Sequence, residues 1–390
     1  MDIMKLLINI ISLHLILYIL RFIMAKNYYY SQQMTGTVIE NGDKFSVIQP
    51  IVSGDCNLEH CLKSNVKNGG KANFIWIINE TDHEACRIVN KVKEETGKDI
   101  KIITAAVIPR EKNEKVYKQK LALPYAREFF IAADDDVILS FDQLYVLKHK
   151  LNRQDCVITG LPYYRMGSDF LTNLVVGFVN GNTLLTYLVI ARLGTVGSLN
   201  GMCYMAKKDT FTRLNIFEKT EEKLSDEYEI AKILQNENIE IIQSTCPCSV
   251  GTTINNFSHY TNLMRRWMVF ANVYMADKLQ LSTLLTIVVP VALPFLIFIN
   301  VLIINNIKIL PIILLIQTAI AFMNYNQRRQ YFKIKEPLII LLFEVISAYL
   351  QPIHYIRSLI NPGLVIWRNN KVIINKDGTV RYEKVGGTPS

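Results

Sequence analysis

The chain has 390 residues, 50% of them hydrophobic and 20% charged, and 43 Lys and Arg against 34 Asp and Glu give a net charge of +9. This composition excludes a disordered chain, which needs low hydrophobicity. Because the sequence has no run of five or more basic residues, the positive balance indicates a membrane surface or an anionic substrate, and nucleic acid is not an expected partner. The seven Cys lack the spacing of a disulfide framework, which predicts reduced, structural thiols.

An apolar segment over residues 6–24 is long enough to cross about 30 Å of hydrocarbon. A run of three Tyr follows it where a small-residue cleavage site would be needed, which favours an uncleaved anchor over a signal peptide. Arg21 and Lys26, against the single Lys5, favour a cytosolic position for the residues that follow. Residues 1–26 are therefore interpreted as an N-terminal transmembrane anchor.

Residues 27–280 alternate short apolar runs with polar helical patterns, which predicts a cytosolic α/β catalytic domain. Buried strands are predicted at 45–48, 74–78, 100–103 and 129–132, and a helix at 83–96. Strands that alternate with helices favour a parallel sheet with ligands at the carboxyl ends of its strands. Residues 170–193 are also apolar, but Asn and Gly interrupt them, and they are predicted to lie on or near the membrane without crossing it.

The composition turns apolar again beyond residue 280. Three stretches, 284–304, 309–323 and 337–350, predict a block of membrane helices over residues 281–360, although the second and third are short for full spans. A short cytosolic tail is expected over residues 361–390.

Three adjacent carboxylates, Asp134, Asp135 and Asp136, directly follow the strand predicted at 129–132. Neighbouring carboxylates repel one another, and a fold keeps them together where a cation offsets the repulsion. Hard oxygen ligands suit Mg²⁺ or Mn²⁺, and such an ion often bridges a diphosphate. The cluster favours a metal site, with a solvated acidic turn as the alternative.

Two further patterns carry chemistry. Asp226 and Glu227 stand at the start of a helical pattern, where a carboxylate serves either as part of a helix cap or as a general base in a cleft. Arg266 and Trp267 precede the C-terminal apolar block. An Arg-Trp pair there is typical either of an anchor at the membrane edge or of an Arg that binds a diphosphate through two hydrogen bonds.

The order of these patterns resembles the membrane glycosyltransferases that carry D, D, D, (Q/R)xxRW motifs on a nucleotide-sugar (GT-A-like) fold, and most closely the ceramide glucosyltransferase family. The resemblance covers nearly the whole chain. The family's first nucleotide-binding loop matches the segment that begins at Pro50, and its first acidic motif matches Asp82. Both are thereby implied to bind the donor. Lys120 falls where the family has an Asn-Pro-Lys-type lysine, although no Asn-Pro precedes it, and the resemblance implies that it adds positive charge at the donor diphosphate.

The resemblance also assigns roles to the later acidic residues. Asp134 matches the second Asp of the motif set and Asp136 its more variable partner, and both are implied to hold Mn²⁺ or Mg²⁺. The family's catalytic base is normally an Asp, and Glu227 stands at that position here. Either Glu227 or the adjacent Asp226 is therefore expected to take the proton from the acceptor hydroxyl.

Arg266 and Trp267 match the final motif of the family, with Leu263 at its leading Gln/Arg position. The resemblance implies that Arg266 binds the diphosphate and that Trp267 stacks on the sugar or the acceptor. A His that the family has on the acceptor side is missing from residues 178–187. The acceptor contacts are therefore not defined by the motifs.

The resemblance implies an inverting transfer of glucose from UDP-glucose to the primary hydroxyl of ceramide, giving glucosylceramide. It further implies a multi-pass protein of the Golgi or ER membrane whose catalytic domain faces the cytosol. Ceramide, a UDP-sugar and the lipid bilayer are the expected partners, and a homo-oligomer is left open. Two alternatives stay open: another membrane lipid or polymer glycosyltransferase that uses a UDP-sugar, and a catalytically inactive membrane scaffold of the same fold.

Overall fold

The computed structural model describes residues 3–33, 42–106, 108–109, 111–223, 225–278, 280–305, 307–360, 364–367, 370–374 and 380–384. The described residues fall into two compact units. The helical unit contains those of 3–33, 163–195 and 254–360. The α/β unit contains those of 42–162 and 196–253 together with the strands that follow residue 363.

Eight strands form one mixed sheet in the α/β unit. They are β1 (Phe45–Pro50), β2 (Asn73–Asn79), β3 (Ile100–Ala105), β4 (Phe129–Ala133), β5 (Val137–Ile138), β6 (Cys156–Tyr164), β7 (Cys203–Lys207) and β8 (Glu240–Val250). Their order is β3-β2-β1-β4-β7-β6-β8-β5, with β1 to β4 parallel and β7 antiparallel to β4. The four predicted strands and their parallel arrangement are confirmed. A separate antiparallel sheet holds β9 (Leu364–Trp367), β10 (Asn370–Ile374) and β11 (Val380–Lys384).

The helices alternate with these strands and then dominate the second half of the chain. In chain order they are α1 (Ile3–Ser31), α2 (Leu58–Asn68), α3 (His83–Thr96), α4 (Glu114–Ala122), α5 (Phe141–Val146), α6 (Lys148–Arg153), α7 (Phe170–Arg192), α8 (Lys208–Arg213), α9 (Ile216–Thr220), α10 (Asp226–Asn236), α11 (Phe257–Lys278), α12 (Leu281–Ile304), α13 (Leu310–Phe332) and α14 (Ile340–Ser358). Both α7 and α12 contain a π-helical turn. The predicted helix α3 is confirmed: it begins after the cap residue Asp82 and ends at Gly97, whose φ of 61° suits glycine.

The register of the sheet determines where the polar residues meet. The five residues of β4 are all buried, and Ile48 of β1 lies opposite Ala132 of β4. Because the two strands are parallel neighbours, the loop after Pro50 and the carboxylates after Ala133 emerge at the same edge of the sheet.

Three helices of the helical unit, α1, α7 and α12, are long and apolar enough to cross a membrane. The sequence predicts that residues 170–193 lie on or near the membrane without crossing it; the structure shows one helix over Phe170–Arg192, whose length and composition meet the requirement for a span. Its Asn side chains have partners within the helical unit. Asn180 Nδ2 donates to the Tyr164 carbonyl at 2.9 Å, and Asn182 Nδ2 donates to the Phe178 carbonyl at 2.8 Å. Burial of an amide group that has hydrogen-bond partners costs much less free energy than burial of one that has none.

Candidate active site

Two carboxylates hold the loop that follows β1. Asp135 Oδ2 accepts the backbone N–H of Val52 at 2.8 Å, and Asp82 Oδ2 accepts that of Ser53 at 2.9 Å. Asp82 Oδ1 also accepts the N–H of Ala85 at 3.0 Å in the first turn of α3. Burial raises the pKa of Asp82, but the hydrogen bonds from Ser53 and Ala85 outweigh it and lower that pKa. Asp82 is therefore ionised at neutral pH and fixed at the edge of the sheet.

The backbone just after Pro50 is fixed from a second direction. The buried ammonium of Lys118 donates to the Ile51 carbonyl at 2.8 Å and forms an ion pair with Glu114 Oε1 at 2.8 Å. Asn79, at the end of β2, donates to the same Glu114 oxygen at 2.7 Å. The loop that begins at Pro50 is thus held rigidly by α4 and by the end of β2.

An acid–lysine cluster lies at the same edge, and we define it as Lys115, Asp134, Asp226 and Glu227. The ammonium of Lys115, in the first turn of α4, is 2.9 Å from Asp134 Oδ1 and 3.1 Å from Glu227 Oε1. It also donates to the Gly201 carbonyl at 2.8 Å. Burial lowers the pKa of Lys115, but Asp134 and Glu227 outweigh it and raise that pKa well above its usual value.

Asp226 and Glu227 are adjacent at the start of α10, but their environments differ. Burial, followed by the negative charge of Glu227, raises the pKa of Asp226 well above its usual range. Burial also acts on Glu227, but the neighbouring Lys115 ammonium outweighs it and lowers the pKa of Glu227. Asn113 Nδ2 lies 3.3 Å from Asp226 Oδ1. Of the two neighbours, Glu227 is therefore the one that gives up its proton more readily.

Gly201 permits the close approach of Glu227 to the backbone. A Cβ added at Gly201 would overlap Glu227 Oε1. Any other residue at this position would have to displace the Glu227 side chain or the turn before β7. The bare glycine and Lys115 together fix the position of this carboxylate.

The predicted metal ligands were Asp134 and Asp136. The described residues contain no group of three or more His, Cys, Asp and Glu side chains suited to a metal ion. The side chain of Asp134 is 32% exposed, and its Oδ1 is paired with Lys115. A carboxylate in this setting fits an ion such as Mg²⁺ that takes one or two protein ligands and receives others from a substrate diphosphate.

The structure does not place Lys120 with this cluster. Its ammonium is paired with Glu221 Oε2 at 3.0 Å and with Glu218 Oε1 at 3.3 Å. Lys115 is instead the lysine that contacts Asp134 and Glu227, and it is not among the predicted site residues. A signal was available, because Asn113-Glu114-Lys115 keeps the Asn and the Lys of an Asn-Pro-Lys pattern with Glu in the middle.

Arg266 and Trp267 lie in the helical unit, on α11. The Trp267 ring stacks on Phe178 with centroids 5.8 Å apart and meets Tyr164 edge-on at 6.1 Å. The candidates that the structure brings together, Asp134, Asp226 and Glu227, all belong to the α/β unit.

An α/β sheet with carboxylates at the ends of its parallel strands, joined to apolar helices, is typical of membrane glycosyltransferases. The chain matches the sequence model of Glycosyl transferase family 21 over residues 4–380, and it belongs to this family. The predicted resemblance is thereby confirmed, as are the GT-A-like fold class and its flanking membrane helices. The protein is a membrane glycosyltransferase that uses a nucleotide-sugar donor.

The individual proteins that this chain resembles share little sequence identity with it. Ceramide glucosyltransferase 1 of Caenorhabditis elegans is 22% identical over 349 residues, which are 87% of this chain and 73% of that protein. The mannosyltransferase PcManGT from Pyrobaculum calidifontis, solved with GDP-Man and Mn²⁺, aligns over 88% of this chain and 99% of that chain, with 13% identity and a TM-score of 0.44. S. aureus TarS 1–349, solved with UDP-GlcNAc, aligns over 88% and 100%, with 10% identity and a TM-score of 0.39.

Proposed function

We propose that this glycosyltransferase transfers glucose from UDP-glucose to the primary hydroxyl of ceramide, with inversion at the anomeric carbon. The family match over residues 4–380 and the similarity to a ceramide glucosyltransferase support the substrates. The observation that carries the chemistry is the contact of Lys115 with both Asp134 and Glu227. That contact provides an ionised base beside a carboxylate suited to a donor-bound metal ion.

The donor is proposed to bind along the loop after Pro50. Asp82 is ionised there, and its carboxylate would accept a hydrogen bond from a ribose hydroxyl or from the uracil ring. Asp134 and Asp136 would hold Mn²⁺ or Mg²⁺ together with the diphosphate, and the metal would neutralise charge on the departing UDP.

Fixed positive charge supports the same leaving group. We assign to Lys115 the role that the resemblance implied for Lys120, since only Lys115 contacts Asp134. Arg266 keeps its proposed role as a diphosphate ligand, for which a guanidinium is well suited. Trp267 is proposed to stack on the sugar or on the acceptor.

Glu227 is proposed as the general base. Its carboxylate accepts the proton of the acceptor hydroxyl as the hydroxyl oxygen attacks the anomeric carbon of glucose. The bond from that carbon to the UDP oxygen breaks, and its electron pair leaves with UDP. Attack from the face opposite UDP inverts the configuration from α to β, so a single base is sufficient.

The membrane helices bring this chemistry to a lipid acceptor. Ceramide stays in the bilayer, and α1, α7 and α12 are of spanning length. We propose that the α/β unit faces the cytosol at the Golgi or ER membrane, where UDP-glucose is available. The seven free thiols agree with a reducing compartment.

The test is a matrix of donors and lipid acceptors. Purified protein in detergent micelles receives UDP-glucose, UDP-galactose or UDP-N-acetylglucosamine with Mn²⁺ or Mg²⁺ and ceramide, diacylglycerol or dolichyl phosphate, and products are identified by mass. We expect glucosylceramide that a β-glucosidase cleaves. A different sugar or lipid in the main product would contradict the proposed substrates. No transfer and no donor hydrolysis would support the inactive scaffold.

A further inference from the structure

The helical unit contains a group of buried charges that the proposed chemistry does not use. We call Arg328, Glu336 and Glu344 the arginine cluster. Arg328 Nη2 lies 3.1 Å from Glu336 Oε2 and also contacts Glu344 Oε1, and Nη1 donates to the Asn180 carbonyl at 2.9 Å. The three side chains are at most 3% exposed. With one cation and two carboxylates, the ionised cluster has one negative charge in excess.

A recess of about 450 Å³, including its open mouth, adjoins this cluster at Glu344. Five helices, α1, α7, α12, α13 and α14, contribute to its lining. Besides Glu344, its polar lining includes Tyr18, Asn182, Gln317, Asn324, Ser347 and Gln351. Most of that volume is the open mouth, and the enclosed part has room for about one or two groups of the size of a water molecule. The enclosed part therefore suits a hydroxyl or an amide group of a lipid head, whose remainder would lie in the mouth.

The lining of this recess is unusually polar for a helix bundle that contains helices of spanning length. Ionisable and amide side chains are costly inside a membrane and typically mark a functional site. The charged groups of the arginine cluster pair with one another. Asn324, by contrast, has one polar atom without a partner in the part of the chain that the structure describes. Its Oδ1 is buried and has no hydrogen-bond partner among the described residues, while its Nδ2 donates to the Gly181 carbonyl at 3.0 Å. Because Asn324 lines the recess, this acceptor is available to a hydrogen-bond donor that enters it.

The chemistry of the lining defines the class of ligand. Glu344 and Asn324 Oδ1 offer acceptors, so the ligand must bring hydroxyl or amide N–H donors. The amide groups of Gln317 and Gln351 offer donors as well as acceptors, which suits a carbonyl on the ligand. An ionised phosphate is itself an acceptor, so Glu344 and Asn324 Oδ1 do not suit it.

We propose that this recess binds the uncharged, hydroxyl- and amide-bearing head of a membrane lipid, and that this lipid is the acceptor of the sugar. The second part rests on the proposed function, and the first part stands without it. A sphingoid lipid with a free amide and two hydroxyls has this chemistry, whereas a lipid phosphate does not.

Substitutions inside the recess test the acceptor role. Ala348 lines it, and Ala348→Leu would fill part of its space. Gln351→Leu removes a polar group at nearly constant size. Each variant should raise the KM for ceramide by about tenfold or more, while the affinity for UDP-glucose stays unchanged. Ala319→Leu adds the same volume at an exposed position of the neighbouring helix α13 and should leave both quantities unchanged. Unchanged ceramide KM values in both recess variants would overturn the acceptor role.

Lipid binding is tested without catalysis. A photoactivatable ceramide with its reactive group beside the amide is irradiated with the inactive Glu227→Gln variant, and cross-linked peptides are mapped. We expect labels on the recess segments of α13 and α14, competed by ceramide at least tenfold better than by ceramide 1-phosphate. Labelling elsewhere only, or equal competition by the phosphate, would overturn the site. Recess labelling without any transfer to ceramide would retain the site and reject the proposed function.

Discussion

The two charged clusters of this protein have similar compositions and opposite settings. The acid–lysine cluster has one cation among carboxylates, and the side chains of Lys115, Asp134 and Glu227 are 14%, 32% and 22% exposed. The arginine cluster also has one cation among carboxylates, but its members are at most 3% exposed. Charge composition therefore does not define the role of a cluster, whereas access to it does.

The difference follows from where each cluster lies in its own unit. The acid–lysine cluster is at the carboxyl edge of a parallel sheet, where strands end and ligands can enter. The arginine cluster lies between α13, α14 and the segment that carries Asn180, and hydrogen bonds close it on several sides. We expect substitutions in the first to change the reaction and substitutions in the second to change stability.

The largest effect is expected for Glu227→Gln. Loss of a general base typically costs a factor of about 10²–10⁴ in rate, and we expect kcat to fall within that range while UDP-glucose still binds. Transfer assays and calorimetric titration with UDP-glucose measure the two quantities. Glu229→Gln, in the same helix and paired at 3.7 Å with Lys232, should keep the wild-type rate. A larger loss from Asp226→Asn than from Glu227→Gln would move the role of the base to Asp226.

Arg328→Met should instead unfold the helical unit more easily. Removing one partner of a buried ion pair leaves an uncompensated charge and costs about 3–5 kcal/mol. Thermal unfolding in detergent should show a clear fall in Tm. The exposed pair of Arg213 and Asp155 provides the control, because Arg213→Met should cost no more than about 1 kcal/mol. An equal fall in Tm for the two substitutions would contradict the expected difference between buried and exposed ion pairs.

A smaller effect is expected for Gly201→Ala. The added methyl group would overlap Glu227 Oε1, so the carboxylate must move from its position beside Lys115. We expect kcat to fall by about tenfold, because a misplaced base transfers a proton less well, with the affinity for UDP-glucose unchanged. Steady-state kinetics with varied donor measures both. A wild-type kcat in this variant would show that the position of Glu227 does not limit the reaction.

Much of the α/β unit could be predicted from the sequence because its signals are local. The runs that became β1, β2, β3 and β4 are short, apolar and rich in β-branched and aromatic residues, and such runs form buried strands in most contexts. The acids after β4 were recognisable for the same reason, since they directly follow one of these strands.

The features that the sequence did not reveal depend on distant residues. Lys115 meets Asp134 and Glu227 only after β4, α4 and α10 have packed, so the local Asn-Glu-Lys pattern alone does not show which acids it contacts. The Asn side chains of α7 interrupt its apolar pattern, and the hydrogen bonds between Asn180 and Tyr164 are evident only in the folded unit. The recess requires five helices, so no single segment predicts it.

The central claim is that Lys115 keeps Glu227 ionised as the base, and the pH dependence of kcat/KM tests it most directly. Activity is lost as the pH falls through the pKa of Glu227, and Lys115 lowers that pKa. Lys115→Met should therefore raise the pKa and move the acidic limb of the profile to higher pH, whereas Lys120→Met should leave the limb in place. An acidic limb that stays unchanged in Lys115→Met, or that shifts equally in Lys120→Met, would contradict the claim.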